Sequence, residues 1–145
     1  VILHKQNVKQ FIGYFISALE QRAENHDNSK LEGEEAELLA KYTPILANLT
    51  YGSEEYKESL KALGPALDHH YKANSHHPES FETGMSGMTL VDLVEMFCDW
   101  MAATKRHNDG DIFKSIEVNE ERFGISEELA EILRNTARML KGDEQ

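Results

Sequence analysis

The 145 residues contain seven histidines, unevenly placed: His4, His26, the pairs His69/His70 and His76/His77, and His107. Aspartates stand beside or near several of them, most tightly in HDNSK, His26 to Lys30. Imidazole and carboxylate together suit borderline transition metals such as manganese, iron, nickel, cobalt or zinc, whereas a site for magnesium alone would use oxygen ligands. One or two such ions would leave positions open for water and a phosphate oxygen and would lower the pKa of that water. The plain alternative for HDNSK is a turn followed by a helix start.

Two further residues bear on the choice. His4 lies four residues before Val8, so on a helix it joins the apolar stripe expected to face inward. It is either a core histidine satisfied by one hydrogen bond or a ligand. On the helix expected from about Thr89 to Lys105, Leu90, Leu93, Val94, Phe97 and Met101 share one face, and Asp92, Glu95 and Asp99 form a stripe opposite. An acidic stripe is usually solvated; the alternative is a cleft edge, where a small residue such as Ala103 leaves room for a ligand.

These residues need helices to position them. Val8, Phe11, Ile12, Phe15, Ile16 and Leu19 recur at three-and-four spacing and predict a first helix. NHDNS breaks it, and a second helix is expected from Lys30 or Leu31 to Tyr42, with Pro44 at or just beyond its end. Ser53 is placed to cap a helix through EEYKESLKAL, which Gly64 and Pro65 interrupt. Resumed after that kink, it would carry His70 on its apolar face and His69 well away from it. Helices are also expected within DGDIFKSIEVNEERFG and after Ser126. With no alternating strand pattern and no internal repeat, the chain reads as one all-α domain over residues 1–145, a bundle of five to seven helices with a short disordered tail at 141–145.

Composition narrows the partners. The net charge of −11 repels nucleic-acid phosphate and anionic membrane surfaces, so duplex binding is disfavoured. A small anionic substrate stays compatible, because a divalent cation can reverse the field inside a cleft. The apolar runs are far shorter than a membrane span, and no secretory leader is evident, although the sequence begins at Val1. Cys98 is the single cysteine, which excludes an internal disulfide framework and fits a reducing, cytoplasmic compartment. Its apolar neighbours suggest a small core residue. Trp100 and Phe97 read as core, and His107 as a solvated or capping residue in KRHNDGD.

HDNSK resembles the HD-x-x-K signature of the HD superfamily of metal-dependent phosphohydrolases, helical proteins whose metal is held by a pattern H…HD…D. HKQNV (His4 to Val8) is similar to the first-helix histidine, His26 and Asp27 to the doublet, and CDWMAA to the late helix with the last aspartate. The resemblance implies His4, His26, Asp27 and Asp99 as ligands. HHYKANSHHPE is similar to the region that supplies two more histidines for a second metal, here His70 and His77. Nearly the whole chain also resembles a family of uncharacterised phage and bacterial proteins sharing HD-x-SK, ALxHHY, HHPE and EMxCDW.

The function so implied is hydrolysis of a nucleotide or another small phosphoester. Asp27 would bridge the metals and orient water, and Lys30 would stabilise the phosphoryl charge, unless it is simply an exposed lysine at a helix start. Arg22 and Arg106 are secondary candidates for phosphate contact. Two other readings stand beside this one: a mixed-valent di-iron oxygenase of the same fold, and a non-catalytic helical binding protein whose acidic surface suits a basic partner. A homo-oligomer is compatible with all three.

Overall fold

The computed structural model describes residues 1–143. It is all-α, with seven α-helices and no strand among the described residues: α1 (Ile2–Asn25), α2 (Gly33–Ala47), α3 (Glu54–Ala62), α4 (Gly64–Ala73), α5 (Leu90–Thr104), α6 (Ile112–Phe123) and α7 (Glu127–Asp143). Of the tail expected to be disordered, residues 141–143 continue α7, and 144–145 lie outside the described residues. No described helix is long and apolar enough to cross a membrane.

Local chemistry sets most boundaries. Ser53 accepts from the Tyr56 backbone N–H and starts α3, Pro65 sits in the first turn of α4 where its missing N–H costs nothing, and Gly124 ends α6 in the left-handed conformation. Ser126 Oγ accepts from the Leu129 N–H at the start of α7. Helix α5 begins with a full capping box: Thr89 Oγ1 accepts from the Asp92 N–H, and Asp92 Oδ2 accepts from the Thr89 N–H. Pro44 departs from expectation, since α2 runs through it to Ala47. A proline removes one helical hydrogen bond, and here the turn beyond it continues.

The apolar core lies among α5, α6 and α7, where Phe97, Ile112, Ile116, Ile125, Ala130, Leu133 and Ala137 are buried and Trp100 and Met101 pack against them. The buried residues outside this cluster include a polar group, Glu35, His70, Asn74, His76 and Asp92. Helix α1 corrects the expectation of an inward stripe: none of its residues is buried, and Phe11 and Ile12 are 62% and 54% exposed. Its last turns pack on α5, while the earlier ones project beyond the body. Cys98 is likewise exposed rather than in the core.

Candidate metal centre

The end of α1 delivers the doublet. His26 is its C-cap residue, and Asp27 follows at φ 55°, the one described non-glycine residue with positive φ. Aspartate tolerates this left-handed conformation better than most residues, and it turns the chain into a 3-10 turn over Asn28–Leu31. His70 comes from α4, His76 and His77 from the loop after it, and Glu95 and Asp99 from successive turns of α5. Asp92, Glu95 and Asp99 are therefore not a solvated stripe: the first is 2% exposed, and all three face the end of α1 or the histidines beside it.

The imidazoles are oriented from outside by carboxylates. His26 Nδ1 lies 2.9 Å from Glu95 Oε1, and His70 Nδ1 lies 2.8 Å from Glu35 Oε1. An ionised carboxylate only accepts, so each Nδ1 donates to it, and in the neutral ring Nε2 is then the nitrogen with a lone pair to offer. Glu35 is fully buried and also bonds His69 Nδ1 at 2.6 Å and Ser29 Oγ at 3.2 Å. Arg22 braces the other side, with one guanidinium nitrogen 2.8 Å from Asp92 Oδ1, 2.9 Å from Glu95 Oε2 and 3.1 Å from Ser75 Oγ.

The Nε2 atoms then converge on Asp27 and Asp99. His26 Nε2 is 3.5 Å from Asp27 Oδ2 and 3.6 Å from Asp99 Oδ1. His76 Nε2 is 3.4 Å from Asp27 Oδ1 and 3.6 Å from Asp99 Oδ2, and His70 Nε2 is 3.5 Å from Asp27 Oδ1. His70 Nε2 also meets His77 Nε2 at 2.9 Å, close to the roughly 3 Å between neighbouring nitrogens bound about 2.1 Å from an octahedral ion and shorter than the roughly 3.4 Å of a tetrahedral one. Asp27 Oδ1 and both nitrogens of His76 are buried without a hydrogen-bond partner; His76 Nδ1 is 3.1 Å from Glu95 Oε1 but out of line for one. Lone pairs facing carboxylate oxygens repel unless a cation lies between them, and buried polar atoms without partners are costly. The donor set fits a divalent ion, and Asp27, His70, His76 and His77 present ligand atoms close enough to share one.

Charge tells the same story. Burial pushes the Asp27 carboxyl up, but the Lys30 ammonium 2.8 Å away, with His26 and His70, outweighs it and holds the group below its ordinary value. Glu35 is pushed up by burial and brought below its usual range by His69, His70 and Ser29. For Asp99 the His76 imidazole is the main cause of a lowered value. Burial, and then the neighbouring His76 and His70, lower His77 from 6.5 to about 4.

The stability of the metal-free protein should follow these shifts. Folded His77 resists the proton that its unfolded form accepts near 6.5, so its contribution is complete above that pH and is lost as pH falls towards about 4. The lowered aspartates add losses of the same sign below 3.8. Thermal melting of chelator-treated protein is expected to drop progressively through this window, and His77→Gln to flatten its upper part; a melting temperature that rises on acidification contradicts the assignment.

Six of the residues expected at the site are brought together: His26, Asp27, Lys30, His70, His77 and Asp99. His4 is not among them. It sits exposed near the start of the helix that His26 ends, and 22 positions of α-helix put about 33 Å between them, so it cannot share an ion with His26 of its own chain. Arg22 is engaged by two carboxylates, and Arg106 is exposed in the turn beyond α5. Sequence reasoning did not place His76, Glu35 or Glu95 in the centre. Glu35 had a signal, its helical phase with Leu38 and Leu39; choosing between His76 and His77 needed the loop.

Beside His26 and Asp99 opens a groove of about 430 Å³ between α1 and α5, walled by Leu19, Ala23, Val94, Cys98 and Ala102. Partial desolvation and Glu95 hold the Cys98 thiol above its ordinary value, so it stays protonated. No curated protein and no solved structure matches the chain. Residues 1–139 match the family of unknown function DUF5662, and the chain belongs to that family.

Proposed function

We propose that this chain is a metal-dependent phosphohydrolase acting on a nucleotide or another small phosphoester. The observation that carries the reading is the convergence of the His26, His70 and His76 Nε2 atoms on the two oxygens of Asp27, with His77 Nε2 beside that of His70 and Asp99 facing His26 and His76. His26, His76, Asp27 and Asp99 would hold one ion, and Asp27, His70 and His77 a second. When bound, such ions supply Lewis acidity towards water and phosphate oxygen.

The chain's own residues do the rest. Glu95 and Glu35 fix the ring tautomers of His26 and His70, and Arg22 holds Glu95 in place. The Asp27 carboxylate, kept ionised, orients a water by accepting its proton in a hydrogen bond. Lys30 is half-exposed beside it, so its ammonium can leave Asp27 Oδ2 for a phosphoryl oxygen and offset the charge there.

Elemental analysis of protein purified without added metal, followed by a metal-dependent phosphate-release screen over nucleotides, cyclic nucleotides and simple phosphoesters, tests this. Stoichiometric divalent ion and turnover abolished by chelator are expected. Protein that retains no divalent ion defeats the reading. Bound iron with oxygen consumption and no phosphate release would replace it with an oxygenase, for which the same nitrogen and carboxylate donors serve.

A further inference from the structure

Two uncovered apolar surfaces flank the groove at the metal centre. One is the stripe of α1, on which Val8, Phe11, Ile12 and Phe15 are all exposed. The other is a ridge of α5 in which Leu90, 64% exposed, and Val94, 41% exposed, are followed at the same spacing by the exposed Cys98 and Ala102. Contiguous apolar surface of this kind marks an interface, and a helix that projects with no buried residue gains little from its own chain.

Charge selects the occupant. Residues 1–19 contain Lys5 and Lys9 and no carboxylate, in a chain of net charge −11, whereas the end of α1 carries Glu20 and Glu24. The stripe and the groove also belong to one face of one helix, so a two-fold axis across α1 places stripe in groove twice. We propose that two copies of this chain pair antiparallel through α1, the first turns of each filling the groove between α1 and α5 of the other. Parallel pairing would set lysine against lysine.

The register follows from one pair. Lys9 and Glu20 are eleven residues apart, three turns, and share one flank of the stripe. In an antiparallel pair equal flanks meet, so Lys9 faces Glu20 of the partner subunit and the axis passes between Tyr14 and Phe15. His4 of the partner subunit then comes level with Asn25, at the mouth of the centre beside His26. The pairing does not depend on the phosphohydrolase reading, since it is argued from the exposed stripe of α1 and the Lys9–Glu20 register, neither of which includes a proposed ligand.

Sedimentation equilibrium of the whole chain at micromolar concentration tests it. A dimer is expected. Phe15→Asp, on an exposed position, should weaken it by more than about 100-fold with helicity by circular dichroism unchanged. Lys9→Glu should weaken it several-fold, and Glu20→Lys in the same chain should restore it. A monomeric wild type, a dimer indifferent to Phe15→Asp, or a failure of the charge swap to restore pairing overturns the proposal. So does a monomer that binds anionic phospholipid vesicles through α1, which would assign the stripe to a lipid surface.

Discussion

Asp27→Asn is expected to strip the centre of its metal and lower any hydrolytic turnover to background while leaving the fold intact. Asparagine keeps the side-chain shape and tolerates the left-handed backbone that position 27 adopts at φ 55°. What it loses is the negative charge towards which His26, His70 and His76 point at 3.4–3.5 Å and with which Lys30 pairs at 2.8 Å. Removing a partner behind a ligand typically costs about 10–100-fold in affinity, so losing the carboxylate shared by both proposed ions should exceed about 100-fold. Metal titration followed by calorimetry checks the affinity, and circular dichroism checks the fold. Unchanged affinity would remove Asp27 from the ligand set.

Ile116→Ala is expected to cost about 2–5 kcal/mol of folding stability, the range for emptying a well-packed aliphatic site. Ile116 is wholly buried at the junction of α5, α6 and α7, among Phe97, Ile112 and Leu133. Typical domains have only about 5–15 kcal/mol in total, so the loss should be obvious in a denaturant titration. Leu90→Ala, at a position 64% exposed, serves as the comparison and should change monomer stability by under about 0.5 kcal/mol. Equal losses at the two positions would mean that the core is misplaced.

The all-α class was legible because helical periodicity and caps are local. Ser53, Gly64–Pro65 and Ser126 act on their own turns, and the structure keeps each of them. The placement of α1 was not legible. Its stripe of Phe11, Ile12 and Phe15 states that a face is apolar, and periodicity is silent on whether the same chain covers that face.

The candidate site was legible in part for the same reason. His26, Asp27 and Asp99 could be found through HDNSK and CDWMAA, and the structure draws them together. His4 belongs to an apolar stripe, which does not imply that it faces inward, and one unbroken helix carries it away from the doublet. Glu35 and His76 depend on the path of the loop between α4 and α5 and on how α2 lies against α4, which are tertiary facts.

The capping box of α5 reaches further than helix initiation. Asp92 closes the first turn through Thr89 and, with its other oxygen, takes Arg22 from α1 and Ser75 from the segment after α4. The phase of α5 is thereby pinned at its origin, and Glu95 and Asp99 arrive at the histidines by helical pitch alone. The spacing of the metal-facing acids is therefore set from that anchor onward, independently of the length of the segment from Phe81 to Met88 that leads into it.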